Sequence, residues 1–168
     1  MAFHFVSPRK NALVYIVKII TGSVMLWFGL HALGVADPYW AMISLIIVTE
    51  PDVKIAKANF NARLINTISG SMAAGLALIV FGTGLFSILT ALTVAMLVAM
   101  LLESYPSNWR LGPATVVIVM SAAASGSELR QELHFGLLRV GEVLAGSAVA
   151  LLQSLAYSYM LKRFAPSS

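Results

Sequence analysis

Two arginines, each followed by a polar residue and then by small ones, are the side chains in this sequence best suited to chemistry. Arg63, Asn66, Gly70 and Ala74 fall at i, i+3, i+7 and i+11, one face of a helix. Arg139, Glu142, Gly146 and Ala150 repeat that face seventy-six positions later, and Ser71 is matched by Ser147. A guanidinium stays charged and grips both oxygens of a carboxylate. Two of them at related positions could therefore hold and pass an organic anion, Arg63 at the inner mouth of a path and Arg139 at the outer. Two blander readings stand beside this one. An arginine at a membrane boundary can snorkel its head to the interface. Arg139 can also pair with Glu142 one turn along.

The remaining polar residues divide the same way. Lys18 sits inside the first apolar run, either snorkelling to the inner interface or adding a third cation to the path. Glu142 is either a proton-coupling carboxylate or the partner of Arg139. His31 and His134 fall near the outer boundary and read as structural. Gly70, Ser71, Ala74, Gly75, Gly146, Ser147 and Ala150 allow close helix packing, or leave room for a narrow pore. Gln153 is placed to bond a neighbouring helix. There is no Cys, the His are scattered, and no nucleophile triad, P-loop or dinucleotide fingerprint is visible. The expectation is no metal, no cofactor and no enzyme.

The elements that position these residues are apolar helices. Of the 168 residues, 59% are hydrophobic and 11% charged, against about 25% charged in a soluble domain. The net charge of +4 could suggest a nucleic-acid partner, but most cations lie at the ends of apolar runs, where a bilayer puts them. The chain reads as one transmembrane domain, residues 1–168, in six helices. A lead-in, 1–10, precedes a first span over 11–34. The second segment, 37–50, is short: Asp37 reads as its N-cap, Pro38 suits its first turn, and Tyr39 and Trp40 are interface aromatics. Residues 53–61 read as a loop, 64–81 as the third span, Gly82-Thr83-Gly84 as a turn, and 85–102 as a uniformly apolar fourth span. A polar loop with Pro106 and Trp109 leads to a second short helix, 113–124, opened by Pro113 and Ala114. The last helix starts near Ser127 and stops at Lys162-Arg163.

Pro38 and Pro113 are seventy-five apart, so the helices read as two triplets, about 11–82 and about 85–161, each with a short second member. An odd number of crossings per triplet would turn the second copy upside down, the inverted-repeat plan of many secondary transporters. With the N-terminus inside, Arg9, Lys10, Lys54, Lys57, Arg63, Arg110, Lys162 and Arg163 fall on the inner side, and Arg130 and Arg139 on the outer. That bias puts both termini in the cytoplasm.

The stretch Asp-Pro-Tyr-Trp-Ala-Met-Ile-Ser-Leu-Ile-Ile-Val (37–48), a basic loop, then Arg-x6-Gly-Ser-x2-Ala in the next helix resembles the membrane domain of the fusaric acid resistance and aromatic acid exporter family, a group related to plant aluminium-activated malate transporters. The resemblance runs from about residue 11 to 160. It implies six-helix units that move organic anions, aromatic carboxylates in bacteria and malate in plants. It also implies paired subunits, with third- and sixth-helix cations, here Arg63 and Arg139, facing the path. Many relatives continue into a cytoplasmic domain or a second membrane half. Ending at Ser168, this chain is expected to be a minimal homodimer or a piece of something longer.

The function expected is efflux of aromatic or other carboxylates across a bacterial inner membrane. The partners are lipid, a small organic anion and a second copy of the chain, with no nucleic acid. The alternative is a non-transporting membrane subunit that scaffolds a larger efflux complex.

Overall fold

The helices begin and end where backbone chemistry dictates, sometimes a turn away from where apolar runs alone would place them. The computed structural model describes residues 8–101, 110–126 and 128–164. All regular structure among them is helical: α1 Pro8–Ala32, α2 Tyr39–Val48, α3 Val53–Phe81, α4 Leu85–Leu101, α5 Leu111–Ala123 and α6 Leu129–Phe164. Three stretches, Ala12–Ala32, Val53–Phe81 and Leu129–Met160, are long and apolar enough to cross a membrane, whereas α2, α4 and α5 are shorter. Ten residues in α2 and 13 in α5 span about 15 and 20 Å, short of the roughly 30 Å hydrocarbon core.

α1 starts at Pro8 rather than at 11. It closes on Gly34, whose φ of 84° suits only glycine. Gly34 N donates to His31 O and Val35 N to Leu30 O, the paired bonds of a Schellman motif. At α2 the expected cap is displaced: Pro38 holds the N-cap position and no side chain caps the helix. The largest departure is α3. Residues 53–61, expected as a loop, are its first turns, because Asp52 Oδ1 accepts the Lys54 N–H at 2.6 Å and so caps the new helix. α5 begins two residues before Pro113, which its first turn tolerates because N–H groups there have no intrahelical acceptor. α6 runs through Lys162 and Arg163 to Phe164, so these cations do not stop it. The expected start at Ser127, the residues before Pro8 and the loop with Pro106 and Trp109 lie outside the described residues.

The chain divides into two compact units, Met1–Phe60 with Ala145–Ser168, and Asn61–Leu144. Neither unit is one of the triplets. In the first, α1, α2 and the start of α3 keep company with the second half of α6. Leu26 of α1, Ala41, Leu45 and Val48 of α2, and Ala150 of α6 form its core. Gly146 seats α6 on α2, since a Cβ there would overlap the Ala41 carbonyl oxygen. In the second, α4 and α5 pack with the rest of α3 and the first half of α6. Ala73, Ala74 and Leu78 of α3 meet Ala91 and Ala95 of α4 and Val116 and Val119 of α5. Gly70 seats α3 on α5, where a Cβ would lie 2.5 Å from the Gly112 carbonyl oxygen. Each third helix thus packs against the short helix of the other triplet.

Burial runs opposite to that of a soluble domain. Large apolar side chains such as Phe28, Met72, Leu85 and Leu137 are exposed, while Lys18, Arg63, Asn66, Thr67 and Glu142 are buried. An apolar exterior over helices whose backbone groups bond internally is what hydrocarbon demands.

Candidate functional site

Arg63 is the largest fully buried side chain, 1% exposed, with Asn66 and Thr67 fully buried one turn on. It stands ten residues into α3, about 15 Å from the helix start. The boundary reading assumed a helix beginning at Leu64. With α3 starting at Val53 and the side chain enclosed, Arg63 is not an exposed snorkelling residue. Asn66 Nδ2 donates to the Ala62 carbonyl at 2.6 Å. The Thr67 hydroxyl is buried with no hydrogen-bond partner among the described residues.

Register within the second unit shows where these groups lie relative to α5. Gly70 sits on Gly112, and the residues that follow each of them share one core, so α3 and α5 run parallel. Three, four and seven residues before Gly70, the backbones of Thr67, Asn66 and Arg63 therefore pass about 5, 6 and 10 Å beyond that contact, off the amino end of α5. α6 runs the other way: Gly126, just past α5, abuts Glu132, and Gly136 abuts Val119. Continuing α6 at its helical rise brings Glu142 level with the first turn of α5. The unit is thus tiered, apolar along α5 and polar toward its amino end, where the helix dipole favours negative charge.

The two arginines, expected as equivalents, differ. Arg139 Nη1 bonds Glu142 Oε1 at 2.6 Å, with side chains 29% and 3% exposed. Arg139 is the partner of a buried carboxylate, whereas Arg63 is itself the buried charge.

Lys18 belongs to the first unit, and its ammonium is held inside it. It is 5% exposed, and its Nζ donates to the Glu50 carbonyl at 2.9 Å and to Ser154 Oγ at 3.2 Å. Sequence reasoning passed over Ser154 and Tyr157, whose ring lies 5.1 Å from Nζ. It also missed Thr67, although i+4 from Arg63 is a legible spacing, and the Ser87, Ala91, Ala95, Ala99 stripe that buries one face of α4. Gln153 Nε2 does bond a neighbouring helix, at Thr21 Oγ1, 2.9 Å away.

At the amino end of α2, Pro38 is buried, Trp40 half-buried and Tyr39 exposed, with the Tyr39 ring 6.3 Å from Trp27. His31 stacks on Trp27 at 4.5 Å, an aromatic cluster of the interfacial kind. In the second unit Pro113 is half-buried and Ala114 exposed. Ala74, Ser147 and Ala150 are fully buried, while Ser71 is half-buried and turns its hydroxyl back to the Ile68 carbonyl. Among the described residues no His, Cys, Asp or Glu cluster could hold a metal ion. Apolar grooves open outward among the described residues. One of about 360 Å³ lies between α3 and α4, lined by Ile65, Met72, Leu76 and Val94. Another, of about 170 Å³, lies beside Lys18 and Tyr157.

No curated protein and no solved structure significantly matches this chain. The fusaric acid resistance protein-like family, a family of membrane transport proteins, matches residues 13–153. That match spans α2, α3, α4 and α5 whole and most of α1 and α6, so the buried arginine, the paired one and both glycine seats all fall within it, and the chain belongs to the fusaric acid resistance protein-like family.

Proposed function

We propose that this chain exports organic anions, aromatic carboxylates among them, across the bacterial inner membrane, with the anion held at the amino end of α5 beside Arg63. The observation that carries this reading is the burial of Arg63, Asn66 and Thr67, on the stretch of α3 that precedes its Gly70 contact with Gly112 near the start of α5. A buried guanidinium is costly in an apolar bundle, and here it adds to a helix terminus that already favours negative charge. An arriving carboxylate would take the guanidinium fork on its two oxygens and the neighbouring amide and hydroxyl on its remaining lone pairs. In this reading the path rests on Arg63 and Asn66, which are buried one turn apart on α3, with Glu142 setting its charge.

In this reading the triplets are inverted repeats, and the matched seats of α6 on α2 and α3 on α5 are its support. Both termini are cytoplasmic, and the working unit is a homodimer. The test is flux of benzoate or salicylate in proteoliposomes. Arg63→Ala is expected to lower flux at least roughly tenfold, equivalent to about 1.4 kcal/mol of lost binding, with partial recovery in Arg63→Lys. Native-like flux in Arg63→Ala would remove the site, and absence of flux in the native protein would remove the function.

A further inference from the structure

We propose that the Lys18 ammonium is a resident cation built into the carboxyl end of α2, filling the place a dissolved monovalent ion would otherwise take. α2 ends at Val48, and Thr49 covers the Leu45 carbonyl with its N–H at 2.9 Å and its hydroxyl at 2.7 Å. One residue on, the chain cannot continue as helix, because Pro51 has no N–H and disfavours helical geometry before it. The Glu50 carbonyl is left facing inward, and Lys18 Nζ donates to it at 2.9 Å. The same ammonium donates to Ser154 Oγ at 3.2 Å, Ser154 Oγ donates to the Glu50 carbonyl at 3.3 Å, and the Tyr157 ring lies 5.1 Å away.

A main-chain carbonyl, a hydroxyl and an aromatic face are a ligand set for a small monocation. Here they come from the end of α2 and from α6, and α1 supplies the cation. No carboxylate oxygen bonds the ammonium among the described residues. The partial negative charge at the carboxyl end of α2 adds to the Coulombic attraction of the nearby Glu50 carboxylate in meeting its charge. A helix too short to cross the membrane needs its ends satisfied within protein, and Lys18 does this without an ion from solution. One consequence rests on the proposed transport function: flux needs no Na+.

The chain contains no cysteine, so Lys18→Cys carries a single thiol, reachable from the groove beside it. Its thiolate displaces bromide from 2-bromoethylammonium, forming one C–S bond and rebuilding a lysine with sulfur in place of the γ methylene. Thermal unfolding of detergent-purified protein is the readout. Lys18→Cys should melt several degrees lower. Aminoethylation should restore most of the loss, and the trimethylammonium analogue, with the same charge and no N–H, should not. Native-like melting of Lys18→Cys, or equal recovery with both reagents, overturns the proposal. Glu50→Gln keeps the carbonyl and removes the carboxylate, and native-like melting is expected. A large loss there would make the carboxylate the true partner, a result readable even if Lys18→Cys does not fold. In proteoliposomes, native flux should be unchanged when Na+ is replaced by choline. Na+-dependent flux would overturn the resident cation while leaving transport intact, whereas no flux in either medium would count against transport alone.

Discussion

At the residue scale, two arginines at equivalent places in a repeated pattern have unequal surroundings. Arg139 keeps a carboxylate that is 3% exposed in an ion pair, so its removal leaves a buried negative charge. Arg139→Ala should destabilise by about 1–2 kcal/mol, below the 3–5 of a fully enclosed pair because Arg139 itself is partly exposed. Arg139→Ala with Glu142→Gln should recover most of that loss. A double variant no more stable than the single one in chemical denaturation would show that the pair is not what holds Glu142. The pairing was legible as an i, i+3 spacing. The burial of Arg63 was not, because nothing in Arg-Leu-Ile-Asn says which face the neighbouring helices cover.

At the scale of elements, the short helices are held by backbone-to-backbone seats rather than by interlocking side chains. A methyl at Gly146 or Gly70 would collide with a main-chain carbonyl oxygen, which cannot rotate aside, whereas a methyl at Gly75 would meet nothing within 4 Å. Gly146→Ala and Gly70→Ala should therefore each cost about 1–3 kcal/mol. Gly75→Ala, by removing a helix-weakening glycine, should gain up to about 1. The three melting temperatures check this order, and a Gly146→Ala protein as stable as Gly75→Ala would remove the seat. Small residues marked these faces in the sequence. Which glycine touches backbone and which faces outward depended on rotation about the helix axis. The α3 boundary failed for a local reason: residues 53–61 read as a loop, yet Asp52 just before them caps them into the first turns of the helix.

On the scale of the whole molecule, the chain joins each third helix to the short helix of the other triplet, so either compact unit contains parts of both triplets. The topology proposed for it is testable because the sequence has no cysteine. In sealed cells, Thr83→Cys should react with a membrane-impermeant maleimide from outside, and Lys57→Cys only after permeabilisation. Equal external labelling of both would discard the inverted arrangement. Hydrophobic content, the lengths of the apolar runs and the spacing of proline and glycine were enough to determine an all-helical membrane chain of six helices, because desolvating a helical backbone in lipid leaves few alternatives. The family was legible only in the motif at 37–48 and the Arg-x6-Gly-Ser-x2-Ala helix, and α4 proved shorter than a full span. Pairing between elements distant in the chain was not encoded in any one stretch. Tertiary structure alone decided that Arg63 is enclosed, that Arg139 is tied to Glu142 and that Lys18 turns inward to the end of α2, since each outcome depends on which helix lies alongside and in what register.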